Sequence, residues 1–149
     1  MSPHASRRVR VLAVLSLSIV PWAVVVVGGL VTLVMPWGLY DPIEGYLTLL
    51  PDYLAATGEG PPPFLFSWPI GVGIYTLALV SVAVEALDRG DSRVTGGLLV
   101  LVGVTQLTVA WGFMRRGGYV VVPLGTVAAW TLAWWFYWPD LRGTVSSGR

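Results

Sequence analysis

The chain contains no cysteine and no lysine, and its only histidine is His4. Without cysteine there can be no disulfide, thiol nucleophile, cysteine-ligated metal site or cysteine-linked lipid. One histidine cannot build a histidine metal cluster, and the apolar part of the chain has no histidine or lysine to act as the base of an intramembrane serine protease. The formal net charge of +1 comes without a clustered basic face. We therefore expect no nucleic-acid partner, no metal and no cofactor.

Charged side chains are also missing from four long apolar stretches, residues 11–40, 60–84, 94–114 and 117–139. A helix needs roughly 20 apolar residues to cross a hydrocarbon layer about 30 Å thick. Each stretch meets this requirement, and 55% of the chain is hydrophobic. The sequence therefore predicts an all-α integral membrane four-helix bundle that forms a single membrane domain. The first stretch is longer than the apolar part of a signal peptide, so we expect it to be retained.

Local signals set the predicted boundaries of these helices. We predict helices over residues 8–35, 66–88, 92–114 and 119–138, with an outer loop over residues 36–65. Within that loop, Asp41-Pro42-Ile43-Glu44 has the form of a helix cap, a first-turn proline and a capping-box carboxylate. This pattern predicts a short interfacial helix over residues 42–50, which either forms a lid or lies at the lipid headgroups.

Arginines are divided unequally between the two predicted ends of the bundle. Those at the end with both termini and the second loop are Arg7, Arg8, Arg10, Arg89, Arg93, Arg142 and Arg149. Only Arg115 and Arg116 flank the other end. Because cytoplasmic loops are enriched in basic residues, we predict a multi-pass protein of the cell membrane with both termini in the cytoplasm.

The two outer arginines face a loop that contains acidic residues and no basic residue. We hypothesise ion pairs of Arg115 and Arg116 with Asp41 and Glu44, which would hold the outer loop across the last two helices. Exposed ion pairs of this kind contribute only about 0–1 kcal/mol each. The predicted role is therefore structural.

Polar and small residues indicate how the helices pack. Gln106 is the most polar residue at mid-membrane depth, and we interpret it as an interhelical hydrogen-bonding group, with a pathway-lining role as the alternative. Small residues recur every seven positions in the third helix and every four in the fourth: Gly96, Gly103, Ala110, Gly125, Ala129 and Ala133. In lipid, such faces let helices approach closely. We expect the tightest helix contacts there, or a homo-oligomer through a spare face.

Two segments carry a resemblance to a known group of proteins. They are Trp37-Gly38-Leu39-Tyr40-Asp41-Pro42 and Leu50-Pro51-Asp52-Tyr53-Leu54. With a tryptophan-rich last helix and no lysine, they resemble an uncharacterised family of small four-pass membrane proteins from halophilic archaea. The resemblance covers nearly the whole chain and implies no activity.

The apolar stretches carry no catalytic constellation. We therefore expect a non-catalytic accessory or scaffold component of the lipid bilayer, in contact with a protein partner or a second copy. The first alternative is a passive small-molecule transporter or channel component. The second is a membrane-embedded enzyme or a lipid- or quinone-binding protein, for which Trp130, Trp134 and Trp138 form a candidate stacking stripe.

Overall fold

The computed structural model describes residues 6–146 and shows a mixed α/β protein, so the predicted all-α four-helix bundle is wrong. The helices are α1 (Arg7–Ser16), α2 (Leu50–Ala56), α3 (Ser67–Ala86), α4 (Ser92–Met114), α5 (Leu124–Leu132) and α6 (Trp138–Ser146). The strands are β1 (Ala23–Val27), β2 (Leu30–Met35), β3 (Gly38–Asp41), β4 (Tyr46–Leu49) and β5 (Tyr119–Val122). They form one antiparallel sheet in the order β4-β3-β2-β1-β5.

The first apolar stretch folds as a short helix and a β-hairpin, and not as one helix over residues 8–35. Helix α1 ends before Pro21, which has no amide hydrogen to donate. A run of four valines follows, and β-branched residues favour strands. Gly28 and Gly29 then have φ angles of 56° and 84°, the conformation that a two-residue type I′ hairpin turn requires. Apolarity alone therefore gave the wrong secondary structure.

The segment after β3 is a tight turn, and not the predicted interfacial helix over residues 42–50. One side-chain oxygen of Asp41 accepts hydrogen bonds from the backbone N–H groups of Ile43, at 2.8 Å, and Glu44, at 3.1 Å. Gly45, with a φ of 69°, lets the chain reverse into β4. An aspartate that caps a helix makes similar bonds to the backbone, so the sequence pattern fits either structure. Pairing of β4 with β3 selects the turn.

The predicted helix over residues 119–138 is also displaced. Its first residues form β5, which pairs with β1, and helix α5 begins at Leu124, directly after Pro123. A π-helical turn, Ala133–Tyr137, joins α5 to α6, and the helix continues past Pro139 to Ser146. A proline removes one hydrogen bond of the regular helical ladder, and a widened turn just before it accommodates the ring.

Helices α3 and α4 pack against each other at the centre of the bundle, with α1 against α3 and α5 against α4. Trp22, which is fully buried, joins the sheet to this bundle. Its backbone N–H donates to the Val34 carbonyl at 2.7 Å, and its carbonyl accepts from the Gly125 N–H at 2.7 Å. Its ring also packs edge-on against Tyr75, with centroids 5.5 Å apart. The sheet therefore caps the end of the bundle at which α5 begins.

We call this end of the bundle the sheet end. It contains β1 to β5, the short 3₁₀ helix Pro63–Phe66 and the start of α3. "Arginine end" denotes the opposite end, where α1 begins, α3 ends and α4 begins. Helices α3 and α4 run between the two ends and occupy nearly the ranges predicted for the second and third spans, residues 66–88 and 92–114.

Candidate functional site

A buried cluster of polar side chains lies at the arginine end. Arg10 of α1 donates from Nη1 to Oε1 of Glu85, near the end of α3, at 2.6 Å. Both side chains are largely buried, with exposed fractions of 15% for Arg10 and 12% for Glu85. Nη2 of Arg10 lies 3.8 Å from a carboxylate oxygen of Asp140 in α6. The guanidinium also lies over the Tyr137 ring, 5.0 Å from its centroid. One arginine thus connects three helices.

Two hydroxyl groups extend the cluster into α4. Thr95, which is fully buried in the first turn of α4, donates from Oγ1 to Oε2 of Glu85 at 3.3 Å. The hydroxyl oxygens of Thr95 and Ser81 are 2.7 Å apart. The set that we call the arginine cluster consists of Arg10, Ser81, Glu85, Thr95, Tyr137 and Asp140. It ties together α1, α3, α4 and the last helix.

The arginine cluster is suited to holding charge in place. Arginine does not lose its proton in proteins, and the carboxylate of Glu85 is already paired with it. Within the described residues, the cluster atoms without a hydrogen-bond partner are Nε of Arg10 and the hydroxyl of Tyr137. Arg10 Nε can only donate a hydrogen bond, whereas the Tyr137 hydroxyl can donate or accept one.

A second ion pair lies at the rim of the arginine end. Arg7 donates from Nη1 to a carboxylate oxygen of Asp88 at 2.6 Å, and its Nη2 contacts the other oxygen. The side chains are 56% and 69% exposed. Asp88 follows the C-cap residue of α3 and has a φ of 62°, the left-handed conformation common just after helices. This pair therefore links α1 to the end of α3 at the solvent-exposed rim.

No metal-binding group appears in the part of the chain that the structure describes. There, no three His, Asp or Glu side chains come close enough together to hold a metal ion. His4 lies outside the described residues.

The structure does not bring together the ion pairs that the sequence suggested at the sheet end. Between residues 6 and 146, no ion pair joins Arg115 or Arg116 to Asp41 or Glu44. The guanidinium of Arg116 instead lies 5.0 Å from the centroid of the Phe64 ring. Asp41 is engaged by the backbone of its own turn.

Hydrogen bonds between neutral groups and aromatic packing hold the sheet end together. The indole of Trp68, at the start of α3, donates to the Met35 carbonyl at 3.0 Å. Tyr53 of α2 packs on Trp68, with ring centroids 5.8 Å apart, and this burial raises the pKa of Tyr53 above its ordinary value. Phe113 and Tyr119 pack together between α4 and β5, at 5.5 Å. Neutral contacts thus replace the predicted charge pairs.

Gln106 lies in the contact between α3 and α4 and is fully buried. Its Nε2 is 3.4 Å from the hydroxyl of Thr105, and Oε1 has no hydrogen-bond partner among the described residues. A Cβ added at Gly71 would come within 2.5 Å of Nε2. The missing side chain at Gly71 therefore makes room for this amide, and the surroundings of Gln106 are closely packed.

The predicted small-residue faces are buried, but the glycines adjoin aromatic residues. At Gly96 and Gly125 an added Cβ would lie 2.8 Å from an atom of such a residue, and at Gly103 it would overlap an indole ring. The pairs are Gly96 with Tyr137, Gly103 with Trp130, and Gly125 with Trp22. The remaining members of the set, Ala110, Ala129 and Ala133, are at most 3% exposed. The three glycines therefore leave room for neighbouring aromatic residues, in addition to allowing close packing of the helices.

The stripe of tryptophans in the last helix lines one shallow groove. Trp130, Trp134 and Trp138 border it together with Val100, and its volume is about 150 Å³. The indole of Trp130 donates to the Val100 carbonyl at 3.0 Å. This indole is therefore part of the packing between helices.

The arginine cluster is absent from the sequence-based predictions, although its main members carry a visible signal. Arg10 immediately precedes the first charge-free stretch and Glu85 immediately follows the second. Opposite charges at the same end of two neighbouring apolar helices are placed to pair. The sequence-based predictions use Arg10 only to orient the chain and give no role to Glu85, Trp22 or Asp140.

Together, the fold and this cluster define a mixed α/β protein with two long apolar helices, a sheet at one end and buried charge at the other. The chain belongs to the family described as "Domain of unknown function (DUF8050)", whose model matches residues 1–147. No curated protein and no solved structure matches it.

Proposed function

We propose that the protein is an integral membrane protein with a non-catalytic accessory or scaffold role. Helices α3 and α4 cross the bilayer, the arginine end faces the cytoplasm, and the sheet end faces outward. The observation that carries the proposal is the apolar surface of the two long helices.

Both long helices expose large apolar side chains along most of their length. The most apolar 18 residues of Pro63–Ala86 have a mean hydropathy of 1.7, and those of Ser92–Met114 have a mean hydropathy of 1.8. Only 33% of each of these 18-residue stretches is buried. The most exposed members are Ile70, Leu77, Val80, Val94, Leu101 and Trp111, each at least half exposed. A core helix of a water-soluble protein is mostly buried, and large apolar patches are rare on such proteins. Lipid is the surrounding that suits these faces.

The distribution of arginine supports the proposed orientation. The arginine end gathers Arg7 and Arg10 of α1 with the α3–α4 connection that carries Arg89. Arg115 and Arg116 follow α4 at the sheet end. An excess of arginine on one side favours the cytoplasm for that side.

The scaffold role is supported by the way in which polar groups are used. The charges of the arginine cluster are paired with one another, and Gln106 lies in a closely packed contact. A transporter or channel would need polar groups lining a pathway. The transport alternative has one feature in its favour, the Oε1 of Gln106, which has no hydrogen-bond partner within residues 6–146.

Membrane insertion and orientation can be tested together because the natural chain has no cysteine to give background labelling. Single variants Ser6→Cys and Arg89→Cys mark the arginine end, and Gly58→Cys and Gly117→Cys mark the sheet end, where an added side chain has open space. We expect the protein to stay in membranes after alkaline carbonate washing. A membrane-impermeant maleimide should label only the last two variants in intact cells. Recovery in the aqueous fraction, or labelling of Arg89→Cys from outside, would reject the proposal.

A flux assay separates the scaffold role from the transport alternative. Proteoliposomes that contain the protein should be no more permeable to small neutral solutes and monovalent ions than protein-free liposomes. Permeability that depends on the protein and falls in Gln106→Leu would favour the transport alternative.

A further inference from the structure

A groove with an apolar wall and a basic mouth lies between α1 and α3 at the arginine end. Its volume is about 440 Å³, and it is lined by Arg7, Arg8, Val11, Leu12 and Ala86. Most of the lining surface is apolar, and the two arginines stand together where α1 begins. The groove thus has positive charge at one end and apolar side chains along its length.

The apolar wall continues along α1 beyond the groove. Leu12 is 65% exposed and Leu15 is 44% exposed. Ile19 follows in the turns that extend α1, at 75% exposure. Together with Arg8 these residues are spaced by three or four positions, so they form one stripe about 16 Å long. A linear hydrocarbon chain has this shape and length.

The two arginines are not equivalent. Arg7 is held by Asp88 through two of its five N–H donors, which leaves other donors free. Arg8 is exposed, and between residues 6 and 146 no carboxylate pairs with it. Asp88 holds the Arg7 guanidinium in place, and Arg8 has no carboxylate partner within residues 6–146. The two side chains therefore favour an additional anion at the mouth of the groove.

We propose that this groove binds an anionic phospholipid of the cytoplasmic leaflet. The phosphate lies at Arg8 and Arg7, and one acyl chain follows Leu12, Leu15 and Ile19. The inference rests on the proposed membrane location. Charge complementarity selects an anionic over a zwitterionic headgroup, because the free positive charge of Arg8 attracts a net negative lipid. The apolar stripe selects a lipid over a soluble phosphate.

The test uses the full chain in mild detergent. The protein is titrated with phosphatidylglycerol or with phosphatidylcholine of the same acyl chains, and native mass spectrometry counts the bound lipid. We expect phosphatidylglycerol to bind about fivefold more tightly than phosphatidylcholine for each arginine that contributes. Arg8→Gln should lower this preference about fivefold. Arg89→Gln, an exposed arginine at the same end but outside the groove, is the matched control and should keep it.

Two further arms identify the ligand. Leu12→Asn should weaken binding of both lipids, and soluble glycerol phosphate should displace neither. Equal binding of the two lipids, equal effects of Arg8→Gln and Arg89→Gln, or efficient displacement by glycerol phosphate would overturn the lipid site. These results leave the membrane proposal standing, because that proposal fails only if the protein is recovered from the aqueous fraction or is labelled in the opposite orientation. Unchanged thermal unfolding of Arg8→Gln would show that the variant is folded.

Discussion

The two ends of the bundle are held together by different interactions, an ion pair at one end and contacts between neutral groups at the other. At the arginine end, Arg10 and Glu85 form a largely buried ion pair that reaches four helices through Thr95 and Asp140. At the sheet end, indole and backbone hydrogen bonds join the sheet to the helices, as between Trp68 and Met35. A buried charge is strongly destabilising when its partner is removed, whereas the stability of neutral packing contacts depends on how well the side chains fit. The same helices are therefore sensitive to charge at one end and to volume at the other.

The largest expected effect is at the arginine end. Glu85→Ala leaves the buried Arg10 guanidinium with only the more distant Asp140, and removal of one partner of a buried pair costs about 3 kcal/mol or more. Chemical unfolding in detergent should show this loss. Glu59→Ala, in the loop before α3, is the control and should change stability little. The double variant Arg10→Met/Glu85→Leu should recover much of the loss, because it removes both charges.

Volume is the sensitive property at the sheet end. In Gly125→Ala the new Cβ would lie 2.8 Å from Cα of Trp22, which is backbone and cannot rotate away. We expect a loss of about 1–3 kcal/mol in the free energy of unfolding. Gly97→Ala in α4 is the matched control, since nothing lies within 4 Å of its added Cβ. A loss as large in Gly97→Ala would mean that the effect does not come from the Trp22 contact.

The hairpin of β1 and β2 gives a smaller effect that distinguishes strand from helix. Gly28 has a positive φ and open space around it, so Gly28→Val should cost about 1–2 kcal/mol from backbone strain alone. Gly28→Asn should be tolerated, because Asn-Gly suits a type I′ turn. In a continuous helix over residues 8–35, valine would instead be no worse than glycine. Thermal unfolding of both variants decides between the two structures.

The smallest expected effect concerns the exposed pair of Arg7 and Asp88. Arg7→Gln should lower stability by about 0–1 kcal/mol, because both side chains are well solvated. The difference from the natural chain should disappear in about 1 M salt, where the screening length is short. A loss that rivals Glu85→Ala and persists in salt would remove the distinction between the rim and the interior of the arginine end.

Sequence reasoning located α3 and α4 well, because each is a long charge-free segment between clear polar boundaries. It failed for residues 11–40 because hydropathy measures the preference for an apolar surrounding and not the choice between helix and strand. The valine run followed by Gly28-Gly29 carried that choice. The small residues lie at buried positions, but only the structure shows which aromatic residue adjoins each of the three glycines. Long-range pairs such as Arg10 with Glu85 need the relative placement of two helices, which periodicity alone does not supply.

The order of the strands has a consequence for synthesis of the chain. Val24 pairs with Leu33 on one side and with Val122 on the other, so one edge of β1 stays open until β5 has emerged from the ribosome. The hairpin must therefore wait, apolar and half-paired, while both long helices are made. During that interval β1 presents an unpaired apolar edge, which is the kind of surface at which nascent chains associate wrongly.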